Sequence, residues 1–297
     1  MKRALIASLC LTFAMTACTS DGGGSESPGE ETGSTTGGDG DGDASTTLPG
    51  DGDGDTEPVV IGTIDGVIQD INGQPLPSPG LQFCGIIEDD GIPKLCIPIM
   101  VAEDGTFHID AMTAGLWSLK LVHADADGRV FSGQAFQLTM NDGDALEYSD
   151  PPIVLPEVTA MTDLAGETTV EIEGGLSITI DPANAQKADF QEPTSLGGVI
   201  VDPAHWPWSE VNGETVVQAW GLASFGIKAK EGSFGLAIND ALGLEAGAAV
   251  NVYEIEKDNG QLHLIATGAV NGDASGLDLT AEGEGLHELS WVVVTAG

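Results

Sequence analysis

Residues 205–208 form the most unusual group of side chains in this sequence, because two indole rings lie on either side of a proline: His205-Trp206-Pro207-Trp208. An indole has a large apolar face and one N–H donor, which suits the face of a sugar ring. Pro207 would hold Trp206 and Trp208 apart at a fixed angle. The segment therefore predicts a carbohydrate-binding loop. The alternatives are that the rings cover the end of a β-sandwich core or form a protein interface.

A second group alternates an imidazole with two carboxylates, at His123, Asp125 and Asp127. These residue types can hold a cation such as Ca²⁺. The end of a strand followed by the turn Asp127-Gly128 explains the same residues without a ligand. No cofactor is expected from the sequence, and Ca²⁺ stays the alternative.

Motifs for catalysis are missing from the sequence, so no catalytic residue is expected. Ser233 lacks the first glycine of a nucleophile elbow. Residues 287–291 begin as a zinc-protease motif, but Trp291 stands where the second histidine is required. The many carboxylates leave a hydrolytic enzyme as an alternative, since a close pair can perform acid–base chemistry.

The charge of the chain restricts its partners. Its 297 residues include 47 Asp and Glu against 9 Lys and Arg, a formal net charge of -38. Nucleic acid is excluded as a partner, because binding phosphates requires clustered Lys and Arg. Anionic lipid head groups are repelled for the same reason. An acidic surface also keeps a secreted protein soluble.

The amino-terminal residues have the pattern of an exported protein. Lys2 and Arg3 precede an apolar run that ends at Met15-Thr16-Ala17-Cys18. A basic start, an apolar middle and small residues before a cleavage point describe a secretory signal over residues 1–17. The segment resembles the signal and lipobox of bacterial lipoproteins, which implies acylation of Cys18, palmitate included. The alternative is an ordinary secretory signal.

The lipoprotein resemblance implies a membrane partner and a location. Two or more acyl chains hold a protein stably on a bilayer. Thr19 follows the cysteine, where lipoproteins retained at the inner membrane typically have aspartate. We therefore expect attachment to the outer membrane of a Gram-negative cell envelope. The apolar run itself is too short to span a membrane, which takes about 20 residues.

Two cysteines remain once Cys10 leaves with the signal and Cys18 takes the lipid. These are Cys84 and Cys96. An even pair in an oxidising compartment predicts a disulfide. The segment that carries them is expected to form a stapled hairpin outside the core.

Residues 18–57 start at the lipidated cysteine and continue as an acidic linker. Glycine and aspartate alternate in the segments 37–43 and 50–55. The EF-hand pattern fails at both, because the glycine at position six and the glutamate at position twelve are missing. With almost no apolar side chains to bury, this linker is expected to be disordered.

Residues 58–156 read as the first β-sandwich of an all-β chain. Short β-prone runs recur about every ten residues, and turn signals such as Asn72-Gly73 and Asp104-Gly105 separate them. In the run 116–122, Trp117, Leu119 and Leu121 share one face. The order of segments 64–76, 103–109 and 114–121 resembles carboxypeptidase regulatory-like domains. That resemblance implies a transthyretin-like sandwich of seven strands without catalytic activity.

Residues 157–297 read as a second β-sandwich domain. Alternating strands over 168–173 and 176–180 meet at Gly174-Gly175. Residues 248–255 and 262–267 are expected to pair across the turn Asp258-Asn259-Gly260, and Trp291 begins a core strand. The arrangement of Gly243, Leu244, Gly247, 250–255, Gly272, Asp273 and 286–291 resembles the ZU5-type β-modules of surface proteins.

Together these features predict a surface-anchored lipoprotein with two β-sandwich domains. Its role is expected to be non-catalytic, in binding or in the architecture of the cell envelope. The partners would be the membrane, through the lipid, and an envelope protein or a glycan. A carbohydrate-binding module that uses Trp206 and Trp208 is the alternative.

Overall fold

The chain is all-β, as the sequence predicts. A computed structural model describes residues 60–76, 79–86, 93–122, 128–187, 189–208 and 210–297, which belong to one compact unit, Asp55–Gly297. These residues form twenty-one strands and two short 3₁₀ helices, with no α-helix among them. No helix of this part of the chain is long and apolar enough to cross a membrane. The predicted signal, Cys18, the linker and the candidate cation ligands His123, Asp125 and Asp127 lie outside the described residues.

The first seven strands form two facing sheets. Their bounds are β1 Gly62–Gln69, β2 Gly80–Ile86, β3 Pro93–Ile99, β4 Thr106–Ala111, β5 Gly115–Val122, β6 Gln134–Met140 and β7 Ala145–Val154. One sheet has the order β4-β1-β7, in which β1 is antiparallel to β4 and parallel to β7. The other has the order β3-β2-β5-β6. Seven strands is the number that the resemblance to carboxypeptidase regulatory-like domains implies.

The period-two pattern of these strands builds the core between the two sheets. On β5, the predicted face of Trp117, Leu119 and Leu121 is buried, and Trp117 stacks on Phe83 with ring centroids 4.1 Å apart. Glycines at positive φ make the predicted turns, with Gly73 at 76° and Gly105 at 80°. This conformation has little cost for glycine because it has no Cβ.

The disulfide between Cys84 and Cys96 is confirmed, and its surroundings correct one expectation. The two cysteines are direct partners in the antiparallel pair of β2 and β3. Strand β2 also pairs with β5 along its length, so it lies inside the sheet. The stapled hairpin is therefore part of the sandwich rather than outside its core. Of the two strands of the hairpin, β3, which contains Pro98, is at an edge of the sheet, as a proline in a strand predicts.

The remaining fourteen strands form the second sandwich. Their bounds are β8 Met161–Asp163, β9 Thr168–Ile172, β10 Leu176–Ile180, β11 Ala185–Gln186, β12 Ser195–Ile200, β13 Glu210–Val211, β14 Glu214–Ala223, β15 Ile227–Ala229, β16 Gly235–Ile238, β17 Ala249–Ile255, β18 Leu262–Val270, β19 Leu277–Ala281, β20 Glu288–Leu289 and β21 Trp291–Ala296. The 3₁₀ helices are Pro182–Asn184 and Pro203–His205. The largest sheet has the order β19-β18-β17-β21-β14-β12-β8, and β13 pairs with β14.

Two smaller sheets complete the second sandwich. Their orders are β16-β10-β9 and β11-β15-β20. The apolar residues of β9 and β10 pack against the large sheet, where Trp220 is fully buried. The hairpins predicted at Gly174-Gly175 and at residues 258–260 are confirmed. Strand β21 is the predicted core strand, between β17 and β14. The domain boundary between residues 156 and 157 stays a prediction.

The opposite face of the large sheet packs on the first sandwich. A third apolar cluster joins Ala135 of β6 to Tyr253, Trp291 and Val293. The Trp291 indole N–H donates to the Gly133 carbonyl over 2.7 Å. Both groups are buried, and a buried donor left without an acceptor costs about 1–3 kcal/mol. The edge strand β6 is thereby held against the second sandwich.

The turn 258–260 also packs against the edge strand β6. Gly260 lies against the backbone of Phe136, and a Cβ there would be 2.5 Å from the Phe136 Cα. The Ser118 hydroxyl donates to the Asp258 carbonyl over 3.2 Å. The face of β5 that carries Ser118 and Lys120 thus contacts the second sandwich instead of solvent.

Three lysines surround the Asp258 carboxylate within this contact. Lys120 Nζ donates to it over 3.0 Å from the first sandwich, while Lys257 and Lys228 approach from the second. Burial raises the pKa of Asp258, but hydrogen bonds and charges of Lys257 and Lys120 outweigh burial and lower the pKa to about 2. The nearby Glu288 lies 3.2 Å from Lys228, and burial raises the pKa of Glu288. The negative charge of Asp258 therefore offsets part of the free-energy cost of burying the three lysine side chains at this contact.

We predict that Asp258→Asn lowers the free energy of unfolding by about 2 kcal/mol at neutral pH. Because the folded pKa of Asp258 lies below its ordinary value of 3.8, its contribution is present above about pH 4. That contribution is lost as the pH falls through about 2. Denaturant unfolding of wild type and variant across this pH range measures the difference. The exposed Asp142→Asn is the control, and a difference that does not shrink at low pH would contradict the assignment.

Candidate functional site

The loop with the two indoles has a local structure that its sequence explains. Asp202 caps the short helix Pro203–His205, since its side chain accepts from the Ala204 N–H over 2.8 Å. Pro203 occupies the first helical position, where no N–H is needed. The Trp206 N–H then donates to the Pro203 carbonyl, which ends the helix. These hydrogen bonds hold residues 203–208 in a short loop between β12 and β13.

Both indoles of this loop are half-buried. The Trp206 indole N–H donates to the Val201 carbonyl over 2.9 Å. Trp208 meets Trp291 edge to face, with ring centroids 5.9 Å apart. Trp206 and Trp208 also pack against the apolar cluster at the contact between the sandwiches. The rings thus cover the edge of a core, as one of the alternatives supposed.

The remaining surface of the rings lines a cleft of about 310 Å³. Its opposite wall comes from β6 and β7 of the first sandwich and contributes Phe136 and Tyr148, whose ring centroids are 5.6 Å apart. Pro151, Pro152 and Pro207 add further rigid apolar surface. Four aromatic rings from both sandwiches therefore border one cleft.

Polar groups are few in this cleft. Gln134 lines it and is only 3% exposed. The buried Oε1 atom of Gln134 has no hydrogen-bond partner within the described part of the chain. Burial raises the pKa of Tyr148, and its hydroxyl is a hydrogen-bond donor at the cleft. Gln137, Glu147 and His205 are the other polar residues at the cleft.

The cleft is acidic at its open side. Glu147 is exposed there, and its register partner Asp65 on β1 is paired with the His108 imidazole over 2.6 Å. No Lys or Arg occurs among the described residues that line the cleft. The charged side chains that border it can accept hydrogen bonds from a ligand but offer no counter-charge to an anion.

The structure brings together only part of the predicted site residues. Trp206 and Trp208, which the sequence predicts, share one cleft. Phe136, Tyr148 and Gln134 line the same cleft, and the sequence does not identify them. Phe136 alternates with Gln137 in a β-strand pattern that signals a half-buried strand. Nothing in that pattern indicates that a loop 70 residues later in the chain covers this strand edge.

A second cavity of about 290 Å³ lies beside Glu254, Glu256, His263 and His287. Glu254 accepts from the backbone N–H groups of His287 and Glu288, both over 2.9 Å. Glu256 accepts from Asn259 and lies 3.1 Å from the His263 imidazole. These carboxylates are engaged within the protein. Over the described ranges, no group of three or more His, Cys, Asp or Glu is placed to hold a metal ion.

Comparisons with known sequences assign no family to this chain. No protein-family model matches it. No curated protein matches it either. Neither the carboxypeptidase regulatory-like nor the ZU5-type resemblance is confirmed.

Some solved all-β structures align with the chain. A DUF3823 family protein from Parabacteroides merdae is 10% identical with a TM-score of 0.22, over 77% of this chain and 81% of that one. A provisionally assigned carbohydrate-binding protein from Bacteroides uniformis is 8% identical with a TM-score of 0.22, over 80% and 79%. The major pilin subunit of Bacillus cereus is 9% identical with a TM-score of 0.23, over 80% and 95%. TM-scores this low do not establish a shared fold, so we infer nothing about activity from them.

We predict that Gln134→Met raises the free energy of unfolding by about 1 kcal/mol. The substitution removes a buried acceptor that lacks a partner, and such an atom costs about 1–3 kcal/mol. Methionine has a similar volume and adapts to its surroundings. Denaturant unfolding measures the change, with Gln137→Met on the same strand as the control. A loss of stability in Gln134→Met would mean that Gln134 makes favourable contacts in the free protein.

Proposed function

We propose that this chain is a non-catalytic binding protein that holds a carbohydrate in the cleft between its two sandwiches. The observation that carries the proposal is the arrangement of Trp206, Trp208 and Tyr148 around one cleft, which is also lined by Gln134 with its unpartnered amide oxygen. Aromatic rings suit the apolar faces of a sugar. The unpartnered amide oxygen suits a hydroxyl or N–H of the same ligand.

The size and rigidity of the cleft support a carbohydrate ligand. Ligand pockets hold roughly 300–1,000 Å³, and a cleft of about 310 Å³ is at the lower end. It suits one sugar residue of a longer chain that continues into solvent. The hydrogen bond of Trp206 to Val201 and the contact of Trp208 with Trp291 fix the rings before binding. A fixed site loses less conformational entropy when it binds.

We predict that Trp208→Ala weakens binding of a soluble oligosaccharide ligand at least tenfold, which is about 1.4 kcal/mol. Calorimetric titration with a broad oligosaccharide panel identifies a ligand and measures its affinity. Trp208→Tyr keeps an aromatic face and should retain most of the affinity. Trp117→Phe alters a buried tryptophan of the first core and is the matched control, since Trp117 does not line the cleft.

The titration is carried out well below the melting temperature of each variant, because Trp208 also packs against Trp291. Failure of every oligosaccharide to bind the wild-type protein would reject the carbohydrate proposal. Equal losses in Trp208→Ala and Trp117→Phe would place the binding site elsewhere.

We also propose that Cys18 anchors the protein by acyl chains to the outer membrane of a Gram-negative cell. The resemblance of residues 1–18 to a lipoprotein signal supports this location. On this account, the linker 18–57 carries the two sandwiches away from the bilayer. We further propose that the first sandwich is of the carboxypeptidase regulatory-like type. Its seven strands and the segment order given above support that assignment.

Mass spectrometry of the amino-terminal fragment tests the anchor. We predict an acylated fragment that begins at Cys18 and that disappears in Cys18→Ser. Cys10→Ser, which lies inside the predicted signal, should leave the acylated fragment unchanged. A mature fragment without acyl mass in the wild-type protein would reject the lipid anchor.

A further inference from the structure

We propose that the sugar bound in this cleft is an amino sugar whose free amine is protonated. This inference rests on the proposed function and specifies the ligand class. It follows from three properties of the described residues: the charge at the cleft, the position of the basic side chains, and the hydrogen-bonding capacity of the cleft walls.

The charge at the cleft is negative. Glu147 lines it and is exposed, whereas the neighbouring Asp65 on β1 is paired with the His108 imidazole over 2.6 Å and does not line the cleft. Asp150 directly precedes the cleft residue Pro151, and Asp202 caps the helix that carries the cleft residue Ala204. Acidic residues therefore occur in the chain segments that form both walls. A uronic acid or a sulfated sugar would meet repulsion here, while an ammonium group would be attracted.

The lysine and arginine side chains that the structure describes do not offset this charge, because six of them are paired with acids elsewhere and the imidazole of His205 is the one basic group among the described residues that line the cleft. The six residues concerned are Lys120, Arg129, Lys187, Lys228, Lys230 and Lys257. None of them lines the cleft. With a net charge of -38 over the whole chain, the long-range field also favours a cation at the cleft.

The cleft walls provide acceptors and aromatic faces. The Oε1 atom of Gln134 and the Glu147 carboxylate accept hydrogen bonds, and an ammonium group has three donors. Hydrogen bonds in which the donor or the acceptor is ionised are roughly twice as strong as neutral ones. Tryptophan is also the preferred aromatic partner of a cation. A neutral hexose would use the aromatic faces and could donate to Glu147, but it would lack the attraction between an ammonium charge and that carboxylate.

The expected order of affinity follows from these contacts. A glucosamine oligomer should bind most tightly. Its N-acetylated form and a glucose oligomer, which are neutral, should bind more weakly and similarly to each other. A galacturonic acid oligomer, which is anionic, should bind weakest.

Calorimetric titration of the full chain in detergent with these four hexamers tests the order. We expect the glucosamine hexamer to bind one site at least tenfold more tightly than the glucose hexamer at about 20 mM salt. The ratio should fall at about 300 mM salt, where the screening length shortens to roughly 6 Å. Glu147→Gln should weaken binding of the glucosamine hexamer more than binding of the glucose hexamer, and so reduce the ratio several-fold. Glu245→Gln removes one exposed carboxylate outside the cleft and should change neither.

The outcomes separate this inference from the proposed function. Binding of the glucose hexamer with no preference for the amine would overturn the amino-sugar inference alone. No binding of any hexamer would overturn the proposed function as well. A preference for the amine that persists in both Glu147→Gln and Trp208→Ala would show attraction to the acidic surface as a whole, and would overturn the assignment to the cleft.

Discussion

The contact between strand β6 and the turn 258–260 determines the geometry of the candidate site. Gly260 approaches the Phe136 backbone so closely that any side chain at residue 260 would collide with it. In the same contact, Lys120 pairs with Asp258, and the Trp291 indole donates to Gly133. One side of β6 is thus buried against the second sandwich. Its end at Gln134 and Phe136 faces the loop of Trp206 and Trp208 across the cleft.

A cleft built in this way is rigid on both walls. One wall is an edge of the first sandwich, and the other is a loop fixed by the Asp202 cap and by the packing of Trp208 on Trp291. The walls are stable, yet the cleft holds a buried acceptor without a partner at Gln134. Such an atom costs stability in the free protein and regains it when a donor arrives. Binding sites commonly retain groups of this kind at the expense of stability.

Much of the fold can be predicted from the sequence, because β-strands and turns leave local signals. Period-two alternation identifies β5, and glycines at positive φ mark the hairpins at residues 73 and 174–175. The disulfide follows from cysteine count and compartment. The position of the disulfide-linked hairpin cannot be predicted from the sequence, because the pairing of β2 with β5 joins residues more than 30 apart in the chain. Long-range pairings of this kind leave no local pattern.

Only the cleft wall that carries Trp206 and Trp208 can be predicted from the sequence, because contacts between distant segments leave no local pattern. Trp206 and Trp208 stand out because two indoles flank a proline, whereas Phe136 and Tyr148 look like ordinary strand residues. Similarly, the sequence marks Asp258 only as a turn residue, whereas its three lysine partners come from β5, from β15 and from the residue just before the turn. Convergence of distant residues on one point is a property of the tertiary structure.

The indole N–H signals of the five tryptophans provide the most direct test of the cleft as a binding site. In a proton–nitrogen correlation spectrum recorded during titration with the glucosamine hexamer, the account predicts that the Trp206 and Trp208 signals shift with saturation. The signals of Trp117 and Trp220, which are buried in the two separate cores, should stay in place. Shifts confined to Trp117 or Trp220, or no shift at a saturating concentration of a ligand that binds by calorimetry, would contradict the account.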